Sequence, residues 1–77
     1  MNRGRFRRVL PNLQGAKVEF VKAEPLKNKA DTWVVTVSIN GWPHDLRMHV
    51  QDELGAMKNV FAMQRGEKPH DVFEISK

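Results

Sequence analysis

The pair Asn40-Gly41 constrains this chain more than any other feature. A two-residue type I′ turn needs positive φ at both central positions, and Asn-Gly supplies that most readily. Before the pair runs Thr32 to Ile39, rich in β-branched residues; after it runs Trp42 to Met48. If Asn40 and Gly41 make the turn, Ile39 faces Trp42, Val37 faces His44, Val35 faces Leu46 and Trp33 faces Met48. The larger apolar residues then share one face, and a slip of one residue would scatter them. Pro43 falls opposite Ser38, at a pair that exchanges no hydrogen bonds. Its missing donor then points outward and is tolerable if no third strand pairs on that side.

Weaker signals flank the hairpin. Ala16 to Ala23 alternates, with Val18 and Phe20 on one side and Lys17 and Glu19 on the other, as a half-buried strand does. Glu24 to Asp31 is polar and holds Pro25, so it reads as a loop. Gln51 to Arg65 reads as a helix with an apolar stripe of Leu54, Met57, Phe61 and Met63 or Gln64, widened by Val60. Asp52 and Glu53 in the first turn and Arg65 in the last suit the helix dipole. Gly66 is placed to end the helix, and Pro69 forbids its continuation. Val72 to Ser76 alternates again, as a closing strand does, with a loose tail as the alternative. The expected fold is α+β: a small antiparallel sheet of three to four strands in the order β-β-β-α-β, with one helix packed on its apolar face.

With 77 residues there is room for one domain, and a domain so short has a thin margin of stability. The absence of cysteine removes disulfides and thiolate zinc sites as sources of further stability and suits a reducing compartment. No apolar run approaches the ~20 residues of a membrane span, and the charged start has no hydrophobic segment behind it. The expectation is a cytoplasmic protein with no membrane partner.

Charge is distributed unevenly. Arg3, Arg5, Arg7 and Arg8 fall within the first ten residues, which contain no acid. Subtracting these four from the 13 Lys and Arg leaves nine, matched by nine Asp and Glu, so the net charge of +4 belongs entirely to that stretch. Residues 1–12 are therefore expected to be a basic arm, ending at the turn signal Pro11-Asn12, and residues 13–77 a single domain. Guanidinium forks suit phosphate oxygens, and Phe6 among them could stack on an unpaired base. A solvated tail is the ordinary alternative. Another is an extra strand whose one face is Phe6, Arg8 and Leu10.

Further candidates lie on the hairpin. Its non-core face is expected to carry Thr32, Val34, Thr36, Arg47 and His49, a surface of the kind β-ribbon readers set in a groove but also of the kind any wet sheet face presents. Trp42, beside the tight turn, is a candidate contact residue, since exposed Trp is enriched at binding hot spots; it could equally cover the end of the sheet. Trp33 reads as a core anchor. Met48, Met57 and Met63 read as gap-fillers.

Catalysis and metal binding find little support. Ser38 and Ser76, the only serines, sit in strand patterns without an obvious base beside them. Asp52-Glu53, the paired carboxylates, are better explained by a helix start. His44, His49 and His70 have irregular spacing and no convincing set of converging ligands, so no cofactor or metal is expected. In order and size the chain loosely resembles two kinds of small protein. One is the DNA-binding module with a basic arm at the front of some phage-type integrases. The other is the compact phage-encoded inhibitor that docks on host RNA polymerase or a CRISPR effector. The resemblance is architectural and carries over no functional residue. A non-enzymatic accessory or regulatory protein is the leading expectation. It would bind nucleic acid, DNA or RNA, through Arg3, Arg5, Phe6, Arg7 and Arg8, with Trp42, Arg47 and His49 orienting it. The alternative is a modulator that meets an acidic surface of a bacterial protein complex.

Overall fold

The computed structural model describes residues 13–75. The arm residues Arg3, Arg5, Phe6, Arg7 and Arg8 lie outside the described residues. The elements are β1 (Val18–Pro25), β2 (Trp33–Ile39), β3 (Trp42–Met48), α1 (Glu53–Gln64) and β4 (Val72–Glu74). The strands form one antiparallel sheet in the order β1-β2-β3-β4. The helix leaves the end of β3, crosses the sheet face over β1 and β2, and returns the chain to β4. This is the α+β arrangement that the sequence predicts.

The hairpin forms in the predicted register, from Ile39 opposite Trp42 to Trp33 opposite Met48. Asn40 at φ 54° and Gly41 at φ 88° supply the two positive values. Asn40 does more than turn. Its N–H donates to the Lys17 carbonyl at 2.9 Å, and its side-chain oxygen accepts from the Lys17 N–H at 3.0 Å. The hairpin tip is thereby tied to the start of β1. Pro43 stands opposite Ser38, and β4 pairs with Leu46, Arg47 and Met48, so among the described residues the missing N–H costs no ladder bond.

Strand β1 differs from expectation in two ways. It continues through Glu24 and Pro25, which pair with Val34 and Trp33, so the predicted loop begins later. It also carries a bulge, because one residue, Val21, is inserted between the pairs Phe20–Val37 and Lys22–Thr36. Simple alternation would have sent Lys22 to the helix side. The bulge resets the phase, leaving Glu19, Lys22 and Glu24 together on the outer face. Thr32 is a further correction. It is buried rather than on the open face, and its carbonyl accepts from the Leu26 N–H at 3.0 Å.

The core joins Val18, Val35, Val37, Ile39, Leu46, Met48 and Val72 from the sheet to Ala56, Val60 and Met63 from the helix, with Leu13 closing one end. The helix thus buries Val60 and Met63 of the predicted stripe, with Ala56 in place of Leu54 and Phe61. Leu54 and Phe61 are 65% and 50% exposed. Asp52 lies just outside the helix as its N-cap, its Oδ1 accepting from the Gly55 N–H at 2.9 Å. Gly55 has a packing role as well, since a Cβ there would come within 3.1 Å of Val50 Cβ. Arg65 is the C-cap rather than a residue of the last turn. Gly66, at φ 88°, donates to the Met63 carbonyl and Glu67 donates to that of Ala62, the paired bonds of a Schellman ending.

Candidate functional site

The outer face of the sheet has no helix over it among the described residues. There, β3 and β4 bring three side chains together. Arg47 is exposed and directly opposite Phe73. His49 follows the end of β3 and sets its ring edge-on to that of Phe73, with centroids 5.5 Å apart and planes at 71°. The His49 N–H donates to the Asp71 carbonyl at 3.0 Å, which holds the backbone of this corner. A guanidinium, an imidazole and an aromatic ring on one surface can meet a phosphate and a flat base or side chain together.

Beside this corner the outer face deepens into an open groove of about 400 Å³, walled by Lys22, Glu24, Leu26, Lys27, Val34 and Thr36. Thr36 donates to Asp45 Oδ1 at 2.7 Å across the β2–β3 pair, so its hydroxyl is engaged there. Lys22 lies 3.4 Å from Glu24, both well exposed. The groove is therefore of mixed charge.

Trp42 is 72% exposed, as its place beside the turn implies. It stands five residues from Arg47 on the same strand, roughly 17 Å away at 3.4 Å per residue, and on the opposite face of the sheet. Arg47 and His49 are thus brought together, and Trp42 is not. Phe73 completes their surface but is absent from the sequence-predicted set. Its alternation with Val72 and Glu74 was the available signal, since a strand burying Val72 must turn Phe73 outward.

His44 is on the helix side, as the register requires, and meets Glu74 of β4 at 2.5 Å, with 19% and 9% of the two side chains exposed. That contact ties β4 to β3. Among the described residues no group of three His, Asp or Glu is arranged to hold a metal ion. No described helix is long and apolar enough to cross a membrane. No protein-family model, curated protein or solved structure matches this chain.

Proposed function

We propose that the protein is a nucleic-acid-associated accessory or regulatory protein whose amino-terminal arginines contact phosphates. The observation that carries this reading is the separation of charge: the whole net charge of +4 falls on Arg3, Arg5, Arg7 and Arg8, and the remainder sums to zero. A basic body would bind polyanions over much of its surface. A balanced body with one basic segment confines the attraction to that segment. The surface of Arg47, His49 and Phe73 supplies a second contact that orients the domain on the strand or duplex it meets.

The measurement is the affinity for an arbitrary duplex and an arbitrary single strand as salt is raised. Four phosphate contacts give a log–log slope of roughly −3 to −4. Replacing Arg3, Arg5, Arg7 and Arg8 with Gln removes most of the affinity and flattens the slope toward zero. Binding that ignores salt, or survives that substitution, refutes the reading.

A second reading is favoured by Trp42, a large ring left 72% exposed at the hairpin tip. It makes the protein a modulator of a bacterial macromolecular machine, with Trp42 as anchor and the arginines against an acidic patch. Capture of one host protein from nuclease-treated bacterial lysate, combined with negligible affinity for nucleic acid, selects this alternative.

A further inference from the structure

Among the described residues strand β1 is the outermost strand on its side of the sheet, and three separate features meet at its outer edge. The first is the edge itself. The Lys17 carbonyl faces β2, where it accepts from Asn40, so by alternation Val18, Phe20 and, past the bulge, Ala23 turn their backbone groups away from β2. Among the described residues no strand pairs there.

The second is the flank of α1 above that edge. Gln64 Nε2 donates to the Val18 carbonyl at 3.1 Å, which shows the side from which the helix overhangs the edge. Met57, Phe61 and Gln64 follow one another at helical spacing along this side, with Leu54 next to them. Phe61 and Leu54 are left open to solvent, and so are Phe20 and Val21 of β1.

The third is the charge pattern. Lys17, Glu19, Lys22 and Glu24 all stand on the outer face, because the bulge at Val21 keeps the second pair in phase with the first. Now set a second copy of β1 antiparallel to the first, with Val18 opposite Ala23 of the partner subunit. Lys17 then faces Glu24 of the partner subunit, and Glu19 faces Lys22 of the partner subunit. The dyad repeats both pairs. Val18 and Ala23, whose backbones point outward, also fall opposite each other, and the Val18 carbonyl, which already accepts from Gln64, keeps a second lone pair for the N–H of Ala23 of the partner subunit.

We propose that the outer edge of β1, with the Met57 and Phe61 flank of α1 above it, is a homodimer interface occupied by β1 of a second copy. The described sheets join edge to edge into one, and the two helices lie on the same side with their exposed apolar flanks toward each other. Lysines, a bulge and a terminal proline commonly blunt an edge against pairing. Lysines alone would repel a copy. Here each is matched by a glutamate where the antiparallel copy needs one, and Pro25 is the last residue of the strand. The contacts of Lys17 with Glu19 at 3.8 Å and of Lys22 with Glu24 join side chains more than half exposed, which are free to exchange partners.

Sedimentation equilibrium of the full chain from micromolar to millimolar concentration tests this, with three variants. Wild type is expected to dimerise reversibly. Lys22→Glu sets like charge against Glu19 of the partner subunit at two symmetry-related places, and weakens the dimer by about tenfold. The double swap Glu19→Lys with Lys22→Glu restores it to within about threefold, because the pairs re-form with their signs exchanged. Phe61→Asp abolishes the dimer while leaving the urea midpoint of the monomer near wild type. A chain that stays monomeric throughout overturns the proposal. So does equal dimerisation by the single and swapped charge variants. A monomer in which the Ala23 amide nevertheless exchanges slowly would mean that something other than a second copy covers the edge, and overturns it too.

Discussion

The hairpin and the helix differ in how far their own residues decide which side is buried. In β2 and β3 the backbone decides. Once Asn40 and Gly41 close the turn, Val35 and Leu46 must stand opposite each other, and everything in step with them shares their face. A helix satisfies its backbone internally and is free to turn about its axis. α1 offers two apolar stripes, Ala56-Val60-Met63 and Leu54-Met57-Phe61, and buries the first. Contacts outside the helix set that choice. Gln64 bonds Val18 on one side, Asn59 Nδ2 approaches Met48 Sδ at 3.7 Å on another, and Gly55 lets the chain at Val50 come close. The stripe with larger side chains is left outside. A pairing rule fixes a face from local sequence, whereas a packing rule needs the partner surface.

The largest effects break the core that both regions share. Leu46 in the hairpin and Met63 in the helix are fully buried, and either change to Ala is expected to cost about 2–5 kcal/mol. A domain of this length has a total stability of roughly 4–12 kcal/mol, so both variants lose a large part of their urea midpoint. Near-equal losses would mean that the helix, despite its freedom to rotate, is held as firmly as the paired strands. A loss under about 1 kcal/mol for Met63→Ala alone would mean that α1 can turn and bury Leu54 and Phe61 instead.

The same contrast explains what could be read in advance. The order of elements along the chain, the hairpin register, the place of Pro43 and the ending at Gly66 each follow from a rule acting within a few residues. The bulge at Val21 has no local marker in a run as regular as Val18-Glu19-Phe20-Val21-Lys22, and it moved Lys22 and Glu24 onto the outer face. The Asn40 bridge to Lys17 and the His44 contact with Glu74 span 23 and 30 residues and depend on the finished sheet. Of the candidate surface, Arg47 and His49 could be placed by counting along β3. Phe73 could be joined to them only once β4 was known to pair there.

A middle-sized effect sharpens the hairpin side of the contrast. Gly41 sits at φ 88° with nothing within 4 Å of where a Cβ would be, so Gly41→Ala introduces backbone strain without a clash. The expected cost is about 1–2 kcal/mol, the penalty for holding an L-residue in left-handed space. The hairpin register should survive, because seven cross-strand pairs still favour it, and amide cross-peaks of β2 and β3 would report that. Lost protection confined to the turn fits the pairing rule. Loss along the whole of β2 and β3 would mean that the turn, and not the alternation, holds the register.

The smallest expected effect bears most directly on the helix. Leu54→Gln replaces the most exposed residue of the unburied stripe. Measured by urea unfolding at concentrations low enough to keep the chain monomeric, it should change stability by no more than about 0.5 kcal/mol, the usual range for an open surface position. Leu and Gln have similar helix propensities, so the substitution isolates burial from backbone preference. If the helix in solution were rotated to put the larger stripe inward, the change would bury an amide without partners and cost about 1–3 kcal/mol. The sign of the concentration dependence adds a second reading. A monomer unaffected by Leu54→Gln whose self-association is weakened assigns Leu54 to the contact between copies. Leu54 then belongs to neither the core nor idle surface, and the stripe left unburied within one chain has its partner in another.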